Sequence, residues 1–171
     1  MKKILIPVTN HGTLGTTDQT NGTYSPELTH ALQVFLAAGF EYDIASIEGG
    51  KAPMYGSNKD FAALSAKLYE NGGVIAAVCH GPAALLPITL SNGESLLANK
   101  SVTGFTREEE IDFGTIDYVP FLLEESLARN AARYSKVQPW GEFVVADDRV
   151  ITGQNPSSAH AVAEVLVNHL T

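Results

Sequence analysis

Apolar positions along the chain fall into two patterns. Short, continuous apolar runs are separated by longer segments whose apolar residues recur three and four apart, with Gly- and polar-rich stretches between them. Residues 4–8 read as a buried strand, followed by a Gly- and Thr-rich loop over 9–24. Ser25 is placed as an N-cap with Pro26 at the first helical position. Leu28, Ala31, Leu32, Phe35 and Leu36 share one face of that helix, and Gly39 closes it. Residues 42–46 form a second strand, and 59–71 a helix with Phe61, Leu64 and Leu68 inward. Residues 74–78 are apolar without a break, as in a strand buried on both faces. Beyond Pro82 the pattern predicts a helix to about residue 90, a strand over 101–105, a charged loop over 106–112 and a helix over about 120–130. Strands at 142–146 and 150–152, joined by Asp147-Asp148-Arg149, precede a last helix over about 158–170. Its inward face is Ala159, Val162, Ala163, Leu166, Val167 and Leu170. Alternating strands and helices of this kind predict an α/β fold: a single-domain, flavodoxin-like three-layer sandwich, with a mostly parallel sheet and helices on both faces.

Composition narrows the function. The chain has 171 residues, 44% of them apolar, enough for one well-filled core over 1–171. Eleven Lys and Arg stand against nineteen Asp and Glu, a net charge of -8 with the basic residues scattered. That disfavours nucleic acid, whose phosphates select clustered cations. Met1-Lys2-Lys3 and the apolar run after it imitate a signal peptide, but the run is short and contains Pro7. No run has the length a bilayer requires, so no membrane partner is expected. A lone Cys excludes an internal disulfide and suits a reducing compartment, so the expected location is cytoplasmic.

That cysteine is the candidate reactive centre. Cys79 directly follows the buried run 74–78, and Gly81-Pro82 open the next helix. In open α/β sheets, ligands bind beyond the carboxyl ends of the strands. A side chain in a tight strand-to-helix turn is pushed outward beside unpaired helix amides. Such a position is expected to lower a thiol pKa from about 8.5 into roughly the 3.5–7.5 range. The competing reading is a cysteine that only packs in the core.

The run Val-Ile-Ala-Ala-Val-Cys-His-Gly-Pro-Ala-Ala-Leu-Leu over 74–86 resembles the nucleophile elbow of the DJ-1/ThiJ/PfpI superfamily, with its class I glutamine amidotransferase-like fold. It is most similar to the Hsp31-like glyoxalase III branch. The resemblance continues through Thr20-Asn21-Gly22 with Glu27, Ala38-Gly39-Phe40, Ala45-Ser46 and Gly49-Gly50-Lys51-Ala52-Pro53. Downstream it includes Val102-Thr103-Gly104-Phe105-Thr106 with Glu108-Glu109-Glu110, Val119-Pro120-Phe121-Leu122-Leu123-Glu124, Pro139-Trp140, and Ile151-Thr152-Gly153-Gln154-Asn155-Pro156. The resemblance implies Cys79 as nucleophile, His80 beside it, and Glu27 as an acid hydrogen-bonded to the thiolate. It implies an oxyanion site at the amides of His80 and Gly81, no metal or organic cofactor, and a homodimer. Read without the family, Glu27 is a first-turn acid that favours its own helix dipole.

One departure stands out. The branch has a further strand and a Gly-Gly-His-Gly-like loop, which contributes an oxyanion amide, where this chain has only Met54-Tyr55-Gly56-Ser57-Asn58 between Pro53 and Lys59. Either a segment is omitted from the sequence or the protein has an internal deletion. Loss of a central strand would leave backbone groups unpaired, which favours the first explanation. With a true deletion, activity would be in question.

Among the remaining residues, His11 and Trp140 are candidates to line the pocket, whereas His30, His160 and His169 read as helix-surface positions. No His or Cys pairing has metal-ligand spacing. Glu108, Glu109 and Glu110 read as a solvated acidic loop. The expected activity is a glutathione-independent glyoxalase (a lyase) that converts methylglyoxal or a similar small-molecule 2-oxoaldehyde to a hydroxy acid through a Cys79 hemithioacetal. The alternatives are an Hsp31-like stress chaperone that holds unfolding proteins, and a cysteine hydrolase or amidotransferase.

Overall fold

A computed structural model describes residues 3–9, 12–14, 17–46 and 59–171. His11 and the interval between Pro53 and Lys59 lie outside the described residues. The elements are β1 (Lys3–Val8), α1 (Ser25–Ala37), β2 (Glu41–Ser46), α2 (Lys59–Glu70), β3 (Ile75–Val78), β4 (Ser101–Val102), α3 (Arg107–Phe113), α4 (Leu123–Asn130), β5 (Arg133–Tyr134), β6 (Val144–Asp147), β7 (Val150–Gly153) and α5 (Ala159–Leu170).

Strand pairing among the described residues is mostly parallel but divided. β1 pairs with β2, β3 with β7, and β4 with β5, all parallel; β6 joins β7 as an antiparallel hairpin. The orders are β1-β2, β3-β7-β6 and β4-β5, so the single continuous sheet expected from the sequence is not present among these residues.

Strand alternation in β7 places helices on both faces. Val150 joins a core with Ala62, Ala66 and Tyr69 of α2 and Leu123 and Leu127 of α4. Ile151 joins the other, with Phe35 of α1 and Val162, Ala163 and Leu166 of α5. Both are fully buried, and full burial of such a side chain contributes about 1.5–3 kcal/mol. Gly153, at the end of β7, permits the closest approach. A Cβ there would lie 2.6 Å from Val162 Cγ2 and 3.1 Å from Val78 Cγ2.

Several sequence expectations change. Ser25 is the first residue of α1, and Tyr24 holds the N-cap position without a side-chain cap. α2 packs through Ala62, Ala66 and Tyr69, while Leu64 and Leu68 are exposed and Phe61 is half-buried. The small alanines allow close approach, and Tyr69 is held by its hydroxyl on Asp148 Oδ2 (2.9 Å) and by the Arg149 guanidinium 4.1 Å from its ring centre. The helix expected to reach residue 90 is a 3-10 turn, Gly81–Leu85. Pro87 ends it, lacking an N–H and obstructing a helical continuation. The charged loop at 106–112 is instead α3. Thr106 and Glu109 form a reciprocal capping box at its start, and Gly114 at φ 75° ends it. Among the described residues, no helix is long and apolar enough to cross a membrane.

Candidate active site

Cys79 occupies the turn between β3 and the 3-10 helix. Its φ is +61°, the left-handed region, which costs a non-glycine residue roughly 1–3 kcal/mol. Two main-chain bonds hold it there: Cys79 N–H donates to Gly153 O (3.0 Å), and Phe105 N–H donates to Cys79 O (3.0 Å). The residue therefore spans the end of β7 and the segment after β4. The side chain is buried, 8% exposed.

His80 connects the thiol to an acid. Cys79 Sγ lies 3.4 Å from His80 Nδ1, and His80 Nε2 lies 2.7 Å from Glu110 Oε1. Glu110 is buried on α3, and its second oxygen, Oε2, accepts a hydrogen bond from Thr115 Oγ1. A carboxylate can only accept, so the His80 proton belongs on Nε2, leaving Nδ1 bare toward the sulfur. The imidazole also lies against Phe105, with ring centres 4.3 Å apart. Glu110 was read from the sequence as part of a solvated loop; the structure shows that it is buried and aimed at His80.

Glu27 of α1 approaches the sulfur from another element. Its carboxyl is within hydrogen-bonding reach of the thiol, and Oε1 has no hydrogen-bond partner. Burial pushes the Glu27 carboxyl above its usual value, against the opposing effects of the Cys79 hydrogen bond and the His80 ring. Burial also pushes the Cys79 thiol well up, reinforced by the Glu27 charge and hydrogen bond and by the more distant Glu109. The His80 backbone N–H is the favourable contribution to the thiolate. This reverses the expectation of a depressed thiol pKa. Behind the sulfur there is only a short 3-10 turn, and desolvation beside a carboxyl group outweighs its dipole. Both groups are shifted toward their protonated forms.

Glu109 is the second correction to the acidic run. It is fully buried, and four N–H groups converge on it. Thr106 N donates to Oε2 (2.9 Å); Trp140 N (2.8 Å), Gln154 Nε2 (3.0 Å) and Asn155 Nδ2 (2.8 Å) donate to Oε1. Glu108 alone fits the solvated reading, being exposed and paired with Lys136 at 2.7 Å. Trp140, at φ 64°, is held at its backbone by Glu109 and is 39% exposed. Its ring meets Phe105 edge-on at 5.7 Å, so it extends an aromatic series that begins at His80. His30, His160 and His169 are exposed on helices, as expected. Among the described residues, no group of three or more His, Cys, Asp or Glu side chains is arranged to hold a metal ion.

Comparison with known proteins places this chain in a family. Residues 23–169 match the DJ-1/PfpI family. The chain belongs to that family. It is 35% identical over 133 residues to the glutathione-independent glyoxalase HSP31 of Saccharomyces cerevisiae, covering 74% of this chain and 56% of the yeast protein. It is 37% identical over 141 residues to the probable glutathione-independent glyoxalase hsp3103 of Schizosaccharomyces pombe, covering 76% and 54%. The chain thus spans about half the length of the curated relatives it matches. Among solved structures, Rapid Encystment Protein 24 kDa of Francisella tularensis superimposes with a TM-score of 0.94 at 28% identity, with complete coverage of both chains. Glyoxalase III of Candida albicans superimposes at 0.82 with 24% identity, covering 98% of this chain and 96% of that one, a likeness of fold.

Proposed function

We propose that the chain is a glutathione-independent glyoxalase acting on methylglyoxal or a similar 2-oxoaldehyde, with Cys79 as the nucleophile of an elbow between β3 and the 3-10 turn. The observation that carries this reading is the series Cys79 Sγ, His80 Nδ1, His80 Nε2, Glu110 Oε1, with steps of 3.4 Å and 2.7 Å outside the ring. The names of the yeast relatives support the choice of substrate class.

The chain's own groups supply each step. The Cys79 thiol passes its proton to the bare Nδ1 of His80, and the Glu110 carboxylate stabilises the imidazolium that results. The thiolate attacks the aldehyde carbon, and the carbonyl oxygen takes up a proton to give a hemithioacetal. Glu27, held toward its protonated form by burial, is the proton source, and the amides of His80 and Gly81 steady the oxygen as charge develops. The imidazolium passes that proton to the Glu27 carboxylate, which restores both groups, and neutral His80 then removes the C1 proton. The enediol formed is protonated at C2, leaving a Cys79 thioester of the 2-hydroxy acid. Water cleaves it, so the sum is one 2-oxoaldehyde plus one water giving one 2-hydroxy acid. General acid and base assistance of this kind contributes roughly 10²–10⁴-fold.

The test is lactate formation from methylglyoxal without glutathione. Wild-type protein is expected to form lactate and Cys79→Ala none above background. Equal rates from the two proteins would remove the assignment.

A further inference from the structure

The role of Glu110 raises the question of what fixes a carboxylate that must present one particular oxygen. Its Oε1 meets His80 Nε2 at 2.7 Å, and its Oε2 accepts from Thr115 Oγ1. Both ends of this arrangement are buried, Glu110 at 1% and Thr115 at 7% exposure. Thr115 is delivered by the end of α3. Gly114 takes φ 75°, a left-handed value that glycine adopts without strain, and the chain folds back so that Thr115 N–H donates to Glu110 O (3.0 Å). Backbone and hydroxyl of one residue thereby hold backbone and carboxylate of another, five positions earlier.

We infer that Thr115 is a positioning residue for Cys79 chemistry: its hydroxyl fixes the Glu110 carboxylate so that Oε1 faces His80 Nε2, which keeps Nδ1 free to receive the thiol proton. The inference rests on the reading of Cys79 as the nucleophile and not on the identity of the substrate. A carboxylate fixed opposite His80 Nε2 is placed to offset positive charge on the ring when the thiol proton arrives there. Without the hydroxyl, Oε2 is left buried and unpaired, and the carboxylate is free to rotate away from the ring. The other titratable groups facing the pair are Glu27 from α1 on Cys79 and His80, and Glu109 from α3 on Cys79. Neither contacts Thr115 through any hydrogen bond described.

Cys79 is the chain's one cysteine, so alkylation by iodoacetamide reports a single thiol, and its rate against pH reports thiolate formation. Thr115→Val retains the side chain's shape without the hydroxyl, and Thr115→Ser retains the hydroxyl. The valine variant is expected to move the alkylation midpoint up by about one pH unit, the low end of what a nearby opposite charge contributes, because Glu110 is no longer held against His80. It should also lower kcat on methylglyoxal by roughly tenfold with little change in KM. The serine variant is expected to restore both. An unchanged alkylation profile in folded Thr115→Val overturns the inference, as does failure of serine to restore it. If valine prevents folding, Thr115→Ala is read by the same criterion. In the wild-type protein, ¹⁵N shifts of His80 are expected to show the proton on Nε2, and a proton on Nδ1 overturns the inference. If no variant forms lactate but valine still moves the alkylation midpoint, the glyoxalase reading fails and the role of Thr115 stands.

Discussion

Glu27 and Glu110 approach the Cys79–His80 pair from two walls of the candidate site, and their hydrogen bonding differs. The α3 wall satisfies its acid completely: both oxygens of Glu110 are engaged, one by His80 and one by Thr115. The α1 wall leaves Glu27 Oε1 without a partner and pushes the carboxyl toward its protonated form. A carboxylate bonded at both oxygens is suited to hold an imidazole in one tautomer. A carboxyl with an unused oxygen and a raised pKa is suited to give up a proton and recover it. Sequence treats the two as the same residue type; their roles are separated by how many donors each wall supplies.

The largest effect that tests this contrast is expected from Glu110→Gln. It keeps the shape and removes the charge opposite His80, so kcat should fall about a hundredfold, within the range of a lost acid–base partnership. The melting temperature should change little. A variant with wild-type kcat would show that α3 contributes packing only.

Glu27→Gln should act differently, through pH. The native carboxyl titrates above its usual value, so its contribution to stability is complete below the usual carboxyl range and is lost as pH rises through the raised value. Glutamine does not titrate. The variant should therefore melt with wild type near pH 4 and above it at pH 8, by a few degrees, since ~1 kcal/mol moves a domain of this size by roughly 2–4 °C. Activity should fall by about tenfold with the proton source gone. A melting difference that is constant from pH 4 to pH 8 would contradict the account of the α1 wall.

The smallest effect belongs to the neighbouring Glu108. Its 2.7 Å pair with Lys136 is exposed at the carboxylate, and exposed pairs contribute about 0–1 kcal/mol. Glu108→Gln, which leaves the pair of Lys136 with Glu124 in place, should leave kcat within about twofold and stability within about 1 kcal/mol. A large loss would mean that the outer face of α3 also serves the site.

The acidic run Glu108-Glu109-Glu110 marks the limit of what the sequence reveals. The position of Cys79 was legible because an unbroken apolar strand ends just before it and Gly81-Pro82 follow His80, a pattern fixed by neighbours in the chain. α5 was legible because its apolar stripe repeats at helical spacing. Glu108, Glu109 and Glu110 were taken together because their charges are alike, yet a helix turns about 100° per residue and aims successive side chains in different directions. Thr106 with Glu109 three positions on is a capping-box pattern that argues for a helix, though not for the burial of its acid. The contact of Glu110 with His80 spans thirty positions and has no periodic trace, so packing alone reveals it. α2 shows the same limit from another side. Leu64 and Leu68 outweigh the alanines in any hydrophobic count, but Ala62 and Ala66 face the core because Tyr69 is anchored by Asp148 and Arg149.

The two main-chain bonds of Cys79 also have a mechanical meaning. A group attached to the sulfur exerts leverage on the residue that carries it, and a left-handed turn held only by side-chain packing would yield to that load. Here the N–H is tied to Gly153 and the carbonyl to Phe105, so the load passes into β7 on one side and the segment leading to α3 on the other. In the proposed reaction, attachment and release at Cys79 would then occur on a fixed backbone.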